Sequence, residues 1–267
     1  MHLSHSSIEQ AITEELDVER HRCGKVLTCR DVVAEELPVA LVFNGISHAV
    51  MMATPQDLEA FAEGFALSEG IVARRQEIHD MEINWLEEGV EVQLTVAQPA
   101  FLRLKERRRT LAGRTGCGVC GTESLSLLDL HPEPVRAGAL ATVDETLIRR
   151  ILGALPQHQP LMHATGCAHG AAWCDANGEV VRVFEDIGRH NAFDKLIGWM
   201  ARQNVDAASG LVFLTSRASY ELVRKAARMG IPQLATISAP TALAIRIAHE
   251  AGMQLFSFCR SDGFVAY

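Results

Sequence analysis

Two thiols set three positions apart, Cys117 and Cys120, are the most reactive pair the chain offers, and they lie in GRTGCGVCG, four glycines within nine residues. Thiols at this spacing can exchange sulfur or electrons, or supply half of a tetrahedral metal site. A structural zinc site needs four ligands, usually as two such pairs, and Cys23 with Cys29 and Cys167 with Cys174 are too loosely spaced to provide the second. No metal site is therefore expected. Thioredoxin-like chemistry wants the pair between a strand and a helix, whereas here a basic, glycine-rich stretch precedes it and only SLSLLDL follows. The remaining chemistry is sulfur carriage, in which a thiolate accepts sulfur as a persulfide and passes it on. The bland alternative is a pair of inert thiols, although structural cysteines seldom sit in so polar a setting. Six basic residues and one acid between Arg103 and Arg114 stand just before the pair, in a chain whose formal charge is -8. Such a patch either forms a solvated face or lowers the thiol pKa and attracts an anion.

A second group of polar residues gathers where predicted strands end. These are Glu185, Asp186, Arg189, His190 and Asn191; Thr215, Ser216 and Arg217; Ser238; and Cys259, Arg260, Ser261 and Asp262. Backbone N–H groups at a strand-to-helix junction favour an anion, and the bland reading of each residue is a cap or a surface pair. His163 and His169 flank Cys167 at ligand-like spacing but lack a further ligand, so isolated histidines are expected. Gly116, Gly118 and Gly121 match the dinucleotide fingerprint only formally, because no strand precedes them. A zinc nucleobase deaminase needs His-x-Glu at one helix start and Pro-Cys-x-x-Cys at the next; RHNAFD and TSRASY stand there instead. The fold is compatible with that class and the deamination machinery is absent.

The elements that must position these residues divide the chain into four parts. Residues 1–35 are polar and aperiodic, a tail or an irregular strand pair. Residues 36–110 form a small α+β domain: strands PVALVFNG and SHAVMMAT turn at Asn44-Gly45, Thr54 with Asp57 makes a capping box around Pro55, Leu58, Phe61, Phe65 and Ala66 stripe a helix, and VEVQLTV is a further strand. Residues 111–140 are a connector carrying the thiol pair, with the basic stretch FLRLKERRR leading into it. Residues 141–267 form an α/β three-layer domain. Thr142 and Glu145 cap its first helix, and a hairpin turns at Asn177-Gly178 as type I′. Three alternations of helix and strand follow. Ala192, Phe193, Leu196, Ile197 and Met200 stripe the first of those helices, Gly230 and Gly252 end the next two, and MQLFSF is the last strand. Alternation at this spacing implies right-handed crossovers, a largely parallel sheet and helices on both faces. Ligands of such sheets sit beyond the strand C-termini.

Composition narrows the class further. With 48% hydrophobic and 22% charged residues the chain is neither disordered nor fibrous. Seven cysteines, an odd number, with no basic and then apolar start in MHLSHSSIEQ, argue against a secreted disulfide scaffold. No apolar run reaches the roughly 18 residues of a membrane helix, and a net acidic chain is a poor binder of nucleic acid. A cytoplasmic protein without membrane or nucleic-acid partners is expected.

Five segments in order, TPQDLEAFAEGFALSEGIV, GRTGCGVCGTESL, EDIGRHNAFDKLIG, TSRASYELVRKAARMGIP and SAPTALAIRIAHEAG, resemble the FdhD family of formate dehydrogenase accessory proteins over about residues 36–267. The resemblance implies a cytoplasmic sulfur carrier with a cytidine-deaminase-like C-terminal domain. Such a protein takes sulfur from a cysteine desulfurase, passes it to the molybdenum bis-molybdopterin guanine dinucleotide cofactor of formate dehydrogenase, and works as a homodimer. By resemblance Cys117 carries the persulfide, while spacing alone leaves Cys117 and Cys120 equivalent. The family's cofactor segment falls on Phe258, Cys259, Arg260, Ser261, Asp262 and Gly263, just past the expected last strand. The chain departs from the family at Gly263, Val265 and Cys167, where members often have Arg, Asn and Gly; Arg217 or Arg189 would then substitute for the missing charge. The alternative is a chaperone that binds the cofactor without handling sulfur.

Overall fold

The computed structural model of the chain describes residues 12–109, 130–138 and 142–267. Cys117, Cys120 and their glycines lie outside these residues. The first described element is a regular ribbon, not a tail: β1 (Thr13–Arg22) and β2 (Lys25–Ala34) pair antiparallel without a register shift. Its tip turns through Cys23 and Gly24, both at positive φ, as a two-residue hairpin demands.

A four-stranded sheet follows, made of β3 (Leu37–Phe43), β4 (Ile46–Ala53), β5 (Ile78–Leu86) and β6 (Gly89–Val96) in the order β4-β3-β6-β5. The turn at Asn44-Gly45 has both residues at positive φ, as expected for that pair. Strand β5 was not foreseen. Its interior sequence, IHDMEINWL, mixes charges into the alternation because it is an edge strand with much of its length exposed. The helix expected to start at Pro55 begins later, as α1 (Leu58–Ser68), after Asp57 in the left-handed region at φ 56. Thr54 makes no cap, because its hydroxyl bonds across the molecule to Asp186. The basic stretch leading into the connector is helical, α2 (Gln98–Arg109), with Phe101 and Leu104 buried beneath it.

The C-terminal half begins with α3 (Glu145–Ala154), whose cap is Asp144 and not Thr142: its carboxylate accepts the Leu147 N–H at 2.8 Å. A 3₁₀ turn at Leu155–His158 and the short α4 (Pro160–Thr165) fill the proline-bracketed loop. Then come β7 (His169–Cys174) and β8 (Val180–Asp186), α5 (Arg189–Arg202), β9 (Leu211–Leu214), α6 (Tyr220–Arg228), β10 (Gln233–Thr236), α7 (Ala242–Ala251), β11 (Gln254–Arg260) and β12 (Gly263–Ala266). The β7–β8 connection is not type I′. Gly178 has φ 78 while Asn177 does not reach positive φ, and Asp175 organises the loop by accepting the Asn177 and Glu179 N–H groups.

This sheet is mixed rather than largely parallel, with order β12-β11-β10-β9-β7-β8. Only β9, β10 and β11 are parallel neighbours; β7 opposes β8 and β9, and β12 is an additional antiparallel edge after the strand expected to be last. Successive side chains separate cleanly between two cores. Ala171, Trp173, Val212, Leu214, Leu234 and Leu255 face one way, and Ala172, Cys174, Leu211, Phe213, Ala235 and Phe256 the other. The links β8-α5-β9, β9-α6-β10 and β10-α7-β11 all advance in one direction across the sheet, so right-handed crossovers place all three helices on one face. The other face is covered by α3 through Ile148 and Ile151. Among the described residues helices do lie on both faces, but three against one.

The two halves share one core because α1 packs on α5. The expected stripe of α5 is buried throughout, and fully buried Phe61 and Phe193 each contribute about 1.5–3 kcal/mol. The helices approach closely at glycine. A Cβ on Gly64 would overlap the Asp194 carbonyl, and one on Gly198 the Ala60 carbonyl. Either alanine must force the helices apart.

Candidate functional site

Strand directions collect the polar residues. Because β7 runs against both β8 and β9, β8 runs with β9, β10 and β11, and the C-termini of those four strands meet at one edge beside the N-terminus of β7. Helices α5, α6 and α7 begin there. The residues expected at strand ends do come together, but they divide into those bonded within the protein and those left open.

Asp186 is closed. Its side chain is 0% exposed and forms an ion pair with equally buried Lys195 at 2.7 Å. One carboxylate oxygen also accepts the Thr54 N–H and hydroxyl, and the other accepts the Gly188 N–H and the Asn191 amide. Lys195 donates to Thr54 Oγ1 and the Glu185 carbonyl, and Asn191 donates to the Met52 carbonyl. This network joins the end of β4 to the edge of the second sheet. Glu185 is committed too: it accepts the Leu161 and Met162 N–H groups at the start of α4 at 2.8 Å each, and burial raises its pKa. Thr215 accepts the Gly170 N–H, and Ser216 donates to the Arg217 carbonyl.

Arg189 and His190, in the same strand-to-helix segment, are open. Arg189 Nε and His190 Nε2 are buried from solvent with no hydrogen-bond partner among the described residues. Burial, then the charges of Arg189 and Lys225, lower the His190 pKa to about 4, so its ring is neutral at ordinary pH. His169, at the start of β7, is lowered by burial and by Arg189. A guanidinium in the same segment as the neutral His190 ring, with Arg189 Nε–H and His190 Nε2 unused among the described residues, suits an anionic or hydrogen-bonding ligand. Arg217 adds an exposed positive charge at the end of β9. Among the described residues no group of three or more His, Cys, Asp or Glu side chains is placed to hold a metal.

The segment Phe258–Gly263 is not loose chain past a last strand; it is the end of β11, a two-residue turn and the start of β12. Its residues face different ways. A bulge puts Phe258 in the left-handed region at φ 55 and leaves it 37% exposed, its N–H bonding the Ser238 carbonyl at 3.3 Å. Such a conformation in a non-glycine residue costs on the order of 1–3 kcal/mol. Cys259 points the opposite way, 0% exposed in the core with Phe213 and Ala235, and burial pushes its thiol up to about 11. It presents no thiolate. Arg260, Ser261 and Asp262 are exposed, and Arg149 of α3 donates to the Ser261 carbonyl at 3.0 Å, fixing the turn. Gly263, at φ 145, occupies backbone space that an L side chain rarely adopts.

A signal in the sequence could have shown more of this edge. LTSRASYELVRKAARMG and TISAPTALAIRIAHEAG repeat one strand, loop and helix unit, each helix ending at a left-handed glycine, Gly230 and Gly252. Ser216 and Ser238 are equivalent positions, and the two loops are joined by a parallel bridge from Ala218 to Pro240.

Fold and edge together define a mixed α/β protein in two sheet-bearing halves, with Arg189 Nε and His190 Nε2 unmatched among the described residues at the edge from which three helices start. The family model described as FdhD/NarQ matches residues 34–267, and the chain belongs to that family. It is 63% identical to the sulfur carrier protein FdhD of Chromobacterium violaceum, over 98% of this chain and 97% of that one. It is 58% identical to the sulfur carrier protein FdhD of Burkholderia mallei, over 98% and 97%. Among solved structures it is similar to a crystal structure described as a formate dehydrogenase accessory protein, from Desulfotalea psychrophila. The TM-score is 0.72 at 22% identity, with 96% of this chain and 97% of that one covered, a likeness of fold. No helix among the described residues is long and apolar enough to cross a membrane.

Proposed function

We propose that this protein is a sulfur carrier that takes persulfide sulfur from a cysteine desulfurase and transfers it to the molybdenum bis-molybdopterin guanine dinucleotide cofactor required by formate dehydrogenase. The observation that carries the reading is the 63% identity, over nearly the full length, to a protein named a sulfur carrier. In the first step the Cys117 thiolate attacks the terminal sulfur of the desulfurase persulfide; that S–S bond breaks, the desulfurase thiolate leaves, and a new S–S bond forms on Cys117. In the second, Cys120 attacks Sγ of Cys117. Sulfide is released toward the metal, and the two electrons it carries leave a Cys117–Cys120 disulfide that a cellular dithiol must reduce.

The cofactor is cargo here, and the open edge is its proposed seat. Unpartnered Arg189 Nε and His190 Nε2 support this, as does exposed Arg260 in a turn held by Arg149. Of the segment from Phe258 to Gly263, the proposal uses exposed Phe258, Arg260, Ser261 and Asp262 and the backbone at Gly263; Cys259 acts only as core. The strand order β8-β7-β9-β10-β11 with β7 opposed, and α3 on the far face, supports the finer assignment of a cytidine-deaminase-like domain. The family resemblance adds a homodimeric, cytoplasmic working form.

Incubation with a cysteine desulfurase and cysteine, followed by digestion and mass measurement, is expected to find one added sulfur on the peptide containing Cys117, and Cys117→Ala is expected to abolish activation of a co-expressed formate dehydrogenase. If a double variant lacking both thiols still activates the dehydrogenase fully, the protein is instead a cofactor chaperone that handles no sulfur.

A further inference from the structure

A cavity of about 340 Å³ opens on the side of the molecule where α1, α5 and α6 end, away from the polar edge where α5 and α6 begin. Leu67, Ile197, Met200, Val205, Met229 and Ile231 form its apolar floor. The rim is basic. Arg74 is exposed and makes no ion pair among the described residues, while Arg75 and Arg202 share a single carboxylate, Glu63. The other nearby acids are already matched, Glu77 by Arg103 at 3.3 Å and Asp206 by Arg136 at 2.8 Å. The helix ends around the cavity are closed by their own backbone, with Gly70, Gln203 and Gly230 donating to Leu67, Trp199 and Ala227.

Those two matched pairs also locate the cavity relative to the thiols. Glu77 bonds both Arg103 of α2 and the N–H of Ala73 in the cavity wall; Asp206, between wall residues Val205 and Ala207, is held by Arg136. The last described ion pair before Cys117 and an early one after Cys120 are therefore both fastened to this rim. Eight residue steps lead from Arg109 to Cys117, a reach of at most roughly 28 Å. A tether of that length is long enough to span from the end of α2 back to a protein seated on the cavity.

We propose that this cavity is a docking socket for the sulfur-donating protein, which inserts an apolar side chain flanked by carboxylates: the side chain fills the floor and the carboxylates face Arg74 and Arg75. An anchor in a pocket with a charged rim is the arrangement that concentrates binding energy at protein interfaces. This rests on the sulfur-carrier reading and adds where the donor binds.

The test measures sulfur loading of the Cys117 peptide against concentration of a cysteine desulfurase supplied with cysteine, for wild type, Ala201→Trp, which fills the cavity, and Arg74→Glu, which reverses the rim. Thermal unfolding reports that the variants fold, and exposed Arg74 gives a readout should the tryptophan not be tolerated. Each folded variant is expected to raise the half-saturating desulfurase concentration about tenfold or more, with loading at saturation unchanged. Loading by inorganic polysulfide, which needs no docking, is expected to be equal in all three proteins. Unchanged half-saturation overturns the socket while leaving the sulfur-carrier reading intact, and so does an equal loss with polysulfide, which would place the damage at the thiols. A wild type that accepts sulfur from polysulfide but from no desulfurase overturns the donor assignment and the socket with it.

Discussion

Within six consecutive residues, Asp186 to Asn191, the molecule contains both a closed polar network and an open one. Asp186 and Asn191 are matched with Thr54, Gly188 and Lys195, burying charge to join the two halves; Arg189 and His190, between them, keep buried nitrogens without partners among the described residues. The difference is one of direction. Asp186 and Asn191 reach Thr54 and Met52 at the end of β4, whereas Arg189 Nε and His190 Nε2, although buried, meet no donor or acceptor among the described residues. Burial of polar atoms therefore does not mark a site; failure to match them does.

The sharpest way to break the closed side is Lys195→Met, which leaves Asp186 buried without its counter-charge. A loss of about 3–5 kcal/mol is expected in urea unfolding, and a loss under about 1 kcal/mol would mean the pair is not sealed. A smaller effect belongs to His190. Its ordinary pKa of 6.5 is lowered to about 4 in the fold, so between these values the unfolded chain binds a proton that the folded one does not. Stability must then fall as pH drops from 6.5 toward 4, by at most about 3 kcal/mol from this residue. His190→Gln should flatten that limb in unfolding curves stepped from pH 7 to pH 4. The smallest structural effect is expected for Arg189→Ala, within about 0.5 kcal/mol of wild type, together with at least a tenfold loss of affinity for a guanine nucleotide in calorimetry, if the open nitrogen is there for a ligand. Equal affinity would make Arg189 an ordinary surface charge.

Local chemistry was legible where local physics decides it. Asn44-Gly45 turns as its residue types require, Gly230 and Gly252 stop helices in the left-handed conformation, and the α5 stripe from Ala192 to Met200 is buried. Misreadings arose where a distant partner outcompeted a near one. Thr54 has a cap's spacing to Asp57, yet its hydroxyl is used by Asp186 and Lys195, far along the chain, and Asp144 took the capping role expected of Thr142. Asn177-Gly178 looked like a type I′ turn, but Asp175 accepts two N–H groups and sets a longer loop. The site was legible as a list of polar residues at strand ends, and illegible in orientation, because the β11 bulge decides that Phe258 faces out and Cys259 in.

By itself the sequence determined the paired thiols, the segregated basic charge, the alternation of helices and strands from β8 to β11 and the family motifs, all of which depend on residue type and spacing along the chain. Only the tertiary structure decided that β7 is inserted against its neighbours, that α1 and α5 meet at Gly64 and Gly198, and which buried polar atoms are satisfied. Those outcomes depend on which groups from distant segments reach one another. A hydrogen bond from Thr54 to Asp186 leaves no local pattern in either stretch of sequence, yet it helps decide where the closed network stops and the open edge begins.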